Sequence, residues 1–220
     1  MDSKYINLLK KTTLFNGFSD NEIADAIYIL NGVIKNYQKN ETIIKYYEPV
    51  NYLSIVLSGS ITGRFINEMY DELNMANMGP GEIFGESLAL LKFESPVEVI
   101  SNTNSEILML DINKIDSDSL SNKILKNLLL SLAKKNYFLN NKVRLYSQKK
   151  IRDKVRLYLI QKSEGKNIVN LDISKTDLAK LINVDRSSLE RELSKMENEN
   201  IIKFEKRKVI LLNKNFFYIN

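Results

Sequence analysis

Between Val33 and Asp111 short apolar segments recur at close intervals: VIKNY, ETIIKYY, YLSIVLSGSITGRFI, ELNMANM, SPVEVIS and EILMLDI, separated by turn residues. Segments this short suit strands better than helices, and their number and spacing predict an antiparallel sandwich or barrel. In YLSIVL, the residues Leu53, Ile55 and Leu57 alternate with Tyr52, Ser54 and Val56. That is the period of a half-buried strand. Gly59 falls between two such runs and is expected to make their tight turn. A second turn is expected in MGPGE (78–82), where Gly supplies positive φ and Pro fixes φ near −65°.

Helical signals flank this region. Ser19 with Glu22 three residues later forms a capping box, and Ile23, Ala26, Ile27 and Leu30 follow on one face. From 119 to about 147 the pattern is helical again. Leu125, Leu132, Leu139 and Tyr146 recur every seventh residue, and Leu128 fills one intervening position. Lys135 and Lys142 take the later intervening positions and weaken the heptad seam. Such a stripe packs either on its own domain or on a second copy of the chain, and a long helix with a narrow apolar stripe favours the second. A further helix, KKIRDKVRLYLIQKSEG, turns Ile151, Val155 and Leu159 inward and stops at Gly165.

Several function classes are excluded by composition. The chain contains neither His nor Cys, so zinc, Cys-ligated iron–sulfur and His-ligated haem sites cannot be built, nor can His-dependent nucleophile systems or thiol redox sensing. No catalytic constellation appears; Glu94 and Glu98 read as solvated strand-edge charges rather than an acid/base pair. No catalytic residue, metal or cofactor is assigned, and no enzyme is expected. No apolar run reaches the ~18 residues of a membrane span, and MDSKYINLLKK lacks a signal peptide's apolar core. A cytoplasmic location without membrane association is the expectation.

Charge is distributed unevenly. The net formal charge of +5 is carried by residues 147–220, where 17 Lys and Arg oppose 10 Asp and Glu, while residues 1–146 hold 15 against 17. A basic C-terminal third is the footprint of a polyanion-binding module. Within it, Ser174 with Asp177 opens a short helix whose Leu178, Leu181 and Ile182 face a core, and Asn183 stands where the turn needs a left-handed residue. Asp185 caps a second helix with Leu189, Leu193 and Met196 inward and Arg186, Ser187, Glu190 and Arg191 outward. Two strands, IIKFE and KVILLN, follow around a basic turn, Lys206-Arg207-Lys208. Together these make a winged helix-turn-helix, in which the start of the second helix enters the major groove. Arg there can read guanine, and Ser can reach phosphates or base edges. The wing cations with Lys149, Lys150 and Arg152 suit backbone phosphates; Lys195 is added to the candidate contacts.

The strand-rich half, GPGEIFGES, the long helix and DLAKLINVDRSSLERELSKMENENII together resemble the CRP/FNR family of bacterial transcription regulators. By that resemblance Arg186 and Arg191 stand at DNA-reading positions and Ser188 at a phosphate-meeting one, while Ser187 replaces an acidic residue and Glu190 a small one. The resemblance implies an α+β fold: an N-terminal antiparallel β-barrel or jelly-roll of cyclic-nucleotide-binding type (1–118), a long dimerisation helix (119–147) and a C-terminal winged helix-turn-helix (148–220). It also implies a homodimer on a roughly palindromic double-stranded operator and contact with RNA polymerase. The dimer residues are Leu125, Leu128, Leu132, Leu139 and Tyr146. A sensory subunit acting on a partner protein is the alternative. The candidate effector corner is Gly85, Glu86, Ser87, Leu88, Ser95, Pro96 and Val97. In nucleotide-responsive members a Gly-Glu turn precedes Arg-Ser or Arg-Thr by about ten residues, and here Ser95 and Pro96 occupy those places. Pro96 lacks an N–H donor, and only Lys92, if turned inward, could supply a cation. The effector is left unknown, or absent, with cAMP disfavoured.

Overall fold

The computed structural model describes residues 3–66, 72–116 and 118–217. The chain divides into two compact units, Met1–Lys134 and Lys135–Asn220. The first opens with α1 (Ser3–Leu9) and α2 (Asp20–Ile29), and its strands are β1 (Val33–Tyr37), β2 (Thr42–Ile44), β3 (Leu53–Ser58), β4 (Ile61–Ile66), β5 (Glu72–Met78) and β6 (Ile83–Phe84). A short helix α3 (Glu86–Leu91), then β7 (Glu98–Ser101) and β8 (Ser105–Leu110), lead to the long α4 (Ser119–Tyr146), within which the two units divide. The strands form two four-stranded antiparallel sheets, ordered β1-β8-β3-β6 and β2-β7-β4-β5.

The strand YLSIVL differs from the half-buried expectation: the first five residues of β3 are all buried. Leu53, Ile55 and Leu57 join Leu108 and Leu110 of β8 in a core shared with α1, α2, α3 and α4. Val56, with Ile107 and Met109 of β8, points the other way, against Ile61 and Val99 of the second sheet. The alternation is real, but both of its faces meet protein. Gly59 is likewise more than a hairpin turn, because β3 and β4 belong to different sheets. It has φ +82°, and a Cβ there would strike the Ser105 hydroxyl and the Asn104 carbonyl. Only glycine can pass the chain through this corner.

The capping box of α2 forms as expected: the Ser19 hydroxyl accepts from Glu22 N–H, and the Glu22 carboxylate accepts from Ser19 N–H at 2.6 Å. Lys123 Nζ on α4 also donates to Glu22 at 2.7 Å, and these donors hold its carboxyl down at about 2. Asn127 Nδ2 donates to the carbonyls of Leu14 and Asn16 at 2.8 and 2.9 Å. The first half of α4 is thereby fixed to its own unit through Ser121, Ile124, Asn127, Leu128 and Ser131, all buried.

The second unit contains α5 (Ile151–Ser163), β9 (Ile168–Asn170), α6 (Lys175–Leu181), α7 (Arg186–Asn198), β10 (Ile202–Glu205), β11 (Lys208–Leu211) and α8 (Lys214–Phe217). The wing is a three-stranded sheet ordered β10-β11-β9; β9 was not foreseen, since three residues carry too little periodicity. Its core gathers Val155, Tyr158 and Leu159 of α5 with Leu178 and Ala179 of α6, and Leu189, Leu193 and Met196 of α7. Among the described residues no helix is long and apolar enough to cross a membrane.

Candidate functional site

The turn between α6 and α7 is built from both ends. Ser174 caps α6 by accepting from Asp177 N–H, and its hydroxyl donates to the Asp177 carboxylate at 2.6 Å. The expected box is therefore half made, because Asp is one methylene too short to favour the backbone N–H. Asn183 has φ +54°, the left-handed conformation that the sequence required of it. Asp185 sits at the N-cap of α7 but makes no side-chain cap bond, a second departure from expectation.

What holds this turn was not read from the sequence. Lys154 of α5 is buried, and its Nζ donates to the carbonyls of Ile182 and Asn183 at 3.1 Å each. An ammonium on the open carbonyls at a helix C-terminus satisfies acceptors and opposes the negative end of the helix dipole. Arg152, also on α5, was expected to meet phosphate. Instead its Nε donates to Glu192 at 2.6 Å, and its two Nη atoms donate to Glu199 at 2.6 and 2.9 Å. The guanidinium holds the Glu199 carboxyl below the usual range. This planar, bidentate pairing ties α7 to α5 and takes Arg152 out of the set of available cations.

The remaining candidates lie on the surface of this unit. Arg186, Ser187, Arg191 and Lys195 are exposed on α7, with Ser188 half-buried. Arg186 Nε donates to Glu190 one turn on, at 3.0 Å, and Arg191 reaches back to the Ser187 carbonyl and the Ser188 hydroxyl at 3.3 Å. Lys206, Arg207 and Lys208 are exposed at the wing, with Lys206 at φ +57° in the turn. Lys149 and Lys150 are exposed in the connection before α5.

In the N-terminal unit the effector corner is tightly made. Gly85 has φ +76°, and a Cβ there would approach the Tyr52 carbonyl at 3.0 Å. Glu86 is buried in the first turn of α3, Ser87 is exposed and Leu88 packs against the core. Ser95 is buried: its hydroxyl donates to the Val97 carbonyl at 2.7 Å, and its backbone bonds Tyr47 and Glu48. Pro96 is exposed and Val97 half-buried, while Lys92 ends α3 with its side chain exposed. A cation does come near, from outside the motif. Arg64 of β4 lies opposite Glu98 of β7, and its Nη2 donates to Glu98 Oε2 at 2.9 Å; Glu98 also accepts from Thr42 at 3.0 Å. Glu98 is thus a cross-strand ion-pair partner and not the solvated edge charge expected. Glu94 is exposed.

The heptad also needs correction. Leu128 is 3% exposed in its own unit's core and cannot face a second chain. Leu125, Leu139 and Tyr146 are exposed and Leu132 is half-buried. The residues between them on the same face are Leu129, Asn136 and Val143, of which Leu129 and Val143 are exposed by 67% and 59%. Four-then-three spacing from Leu125 makes a heptad seam in which the lysines play no part.

An antiparallel double sheet with a helix-turn-helix unit and wing is the architecture of a sensor barrel joined to a DNA-binding module. A family profile described as a cyclic nucleotide-binding domain matches residues 34–117, and one described as a Crp-like helix-turn-helix domain matches residues 153–215. The chain belongs to the CRP/FNR family of DNA-binding transcription regulators, which are not enzymes. Solved structures share the fold at low identity. The Thermus thermophilus catabolite activator protein is 21% identical over 94% of this chain and 98% of its own, with a TM-score of 0.56. DNR from Pseudomonas aeruginosa is 15% identical over 99% and 97%, with a TM-score of 0.51. The c-di-GMP-responsive regulator CLP of Xanthomonas campestris is 20% identical over 89% and 100%, with a TM-score of 0.50. No curated protein matches the chain significantly by sequence.

Replacing Lys154 by Met keeps its length and removes the donor to the buried Ile182 carbonyl and the part-buried Asn183 carbonyl. The variant is expected to lose about 2 kcal/mol of stability, measured by denaturant unfolding of the full chain. A loss below about 0.5 kcal/mol would show that the turn does not need this ammonium.

Proposed function

We propose that this chain is a homodimeric, sequence-specific transcription regulator that reads a roughly palindromic operator with the start of α7. The observation that carries this reading is the face made by Arg186, Ser187 and Arg191, exposed on a helix whose opposite stripe is fully buried. The wing cations and Lys149 and Lys150 supply phosphate contacts around it. Glu190, paired with Arg186, places an acceptor among the reading groups, so the operator should differ from those read by members with a small residue there. Recruitment of RNA polymerase and a cytoplasmic setting follow from the same reading. Domain limits of 1–118, 119–147 and 148–220 suit it, with α4 as the dimerisation helix.

Gel-shift and footprinting on selected operators separate the two kinds of contact. Arg191→Ala is expected to lose discrimination between operator and unrelated DNA, by about 1–3 kcal/mol at the position it reads. Removing Lys206 and Arg207 together is expected to weaken binding to all sequences and to flatten its salt dependence by about one unit per lost phosphate contact. Equal affinity of wild type and Arg191→Ala for every sequence would refute specific readout by α7.

The dimer seam is proposed as Leu125, Leu129, Leu132, Asn136, Leu139, Val143 and Tyr146, with Asn136 as the polar residue that sets register. Leu139→Asp is expected to shift the protein to monomer in light scattering at micromolar concentration. An unchanged dimer mass would place the interface elsewhere.

We also infer that the barrel is not a cAMP receptor. Ser95 and Pro96 stand where the phosphate cation is expected, Ser95 is internally bonded, and the nearby Arg64 is paired with Glu98. A buried phosphate without its cation is disfavoured by several kcal/mol. Calorimetric titration with cAMP at physiological salt is expected to give no saturable heat; micromolar binding would overturn this.

A further inference from the structure

In the C-terminal unit, the end of α4, the middle of α5 and α8 enclose a cleft of about 450 Å³. Its lining includes Tyr137, Asn141, Arg144, Arg156, Ile160 and Phe217. The volume falls in the range of small-molecule sites, and the lining mixes polar and apolar groups about equally.

Two features distinguish this cleft from a passive dent. Asn141 Nδ2 and Arg156 Nε are both buried donors with no hydrogen-bond partner among the described residues, and both residues line it. A buried donor without an acceptor is unfavourable, and a ligand that accepts from it gains the bond without further desolvation of the protein. The Arg156 guanidinium cannot swing freely to water: one Nη donates to the Phe217 carbonyl at 3.2 Å, and the group lies over the Phe216 ring at 5.6 Å. The second feature is charge. Among the described residues the lining carries two guanidinium groups, those of Arg144 and Arg156, and no carboxylate.

We propose that this cleft binds a small amphiphilic carboxylate. Its acid group accepts from Asn141 and Arg156, and its alkyl or aromatic body lies along Ile160 and Phe217. Cationic ligands are repelled by the two arginines, and a neutral ligand leaves them without a counter-charge. The planar pair of carboxylate oxygens matches the fork of a guanidinium. At 100° per residue, Tyr137, Asn141 and Arg144 lie on the side of α4 opposite Leu139, Val143 and Tyr146. A second chain on the proposed seam therefore leaves the cleft open. Ligand binding here does not depend on how α7 reads DNA, so either proposal can fail alone.

Calorimetric titration of the full chain with octanoate, octyl phosphate and 1-octanol tests the assignment. Octanoate is expected to bind saturably at one site per chain, about tenfold or more tighter than 1-octanol and tighter than octyl phosphate. Asn141→Leu should weaken octanoate about tenfold while leaving 1-octanol unchanged, and Ile160→Trp should fill the cleft and abolish binding. Circular dichroism melting of both variants checks that the fold is kept. The proposal is overturned if octanoate does not bind, if 1-octanol binds equally, or if folded Asn141→Leu and Ile160→Trp proteins bind octanoate as the wild type does. Tighter binding of octyl phosphate would overturn the carboxylate assignment in favour of a phosphate ligand.

Discussion

The N-terminal unit depends on the pairing of β3 with β8, strands whose side chains are buried on both faces. Leu53, Ile55, Leu57, Leu108 and Leu110 take the helices on one side, and Val56, Ile107 and Met109 take the second sheet on the other. Because both faces are covered, a one-residue slip of register would exchange the two sets and misfit both cores. The crossing at Gly59 carries the chain from one sheet to the other beside this pair. The effector corner and the first half of α4 are positioned by the layer so formed.

The second unit is organised from α5. Its apolar residues join the core, while Arg152 holds α7 through Glu192 and Glu199, and Lys154 holds the turn before it. Three functions therefore meet on one helix: packing, orientation of the reading helix, and, as proposed, one wall of a ligand cleft. A change at α5 acts on the same element that positions Arg186 and Arg191.

Family resemblance and chemistry diverge at the barrel. The Gly-Glu turn persists because Gly85 needs a positive φ and close approach to the Tyr52 carbonyl, both requirements of the corner itself. At Ser95 the hydroxyl is turned onto the Val97 carbonyl, closing a local turn. The corner thus has a structural reason to exist independent of any phosphate.

Much was legible in the sequence because it is local. Ser19 with Glu22, the left-handed Asn183, the stripe of Leu189, Leu193 and Met196, and the basic wing turn are each set by residues within a turn or two of one another. Backbone sterics and helical period determine these without reference to distant chain, so the strand-rich half, the long helix and the winged unit could all be expected. What only tertiary structure decided are pairings across the chain. Arg152 meets Glu192 and Glu199, Lys154 caps Ile182 and Asn183, Arg64 neutralises Glu98, and Leu128 is buried in its own unit while Leu129 and Val143 stay exposed. Charge and apolar character are properties of residues, but whether a cation faces solvent or a carboxylate is settled by what folds against it. The sequence by itself determined what kind of protein this is; the packing decided which of its cations and leucines are left exposed.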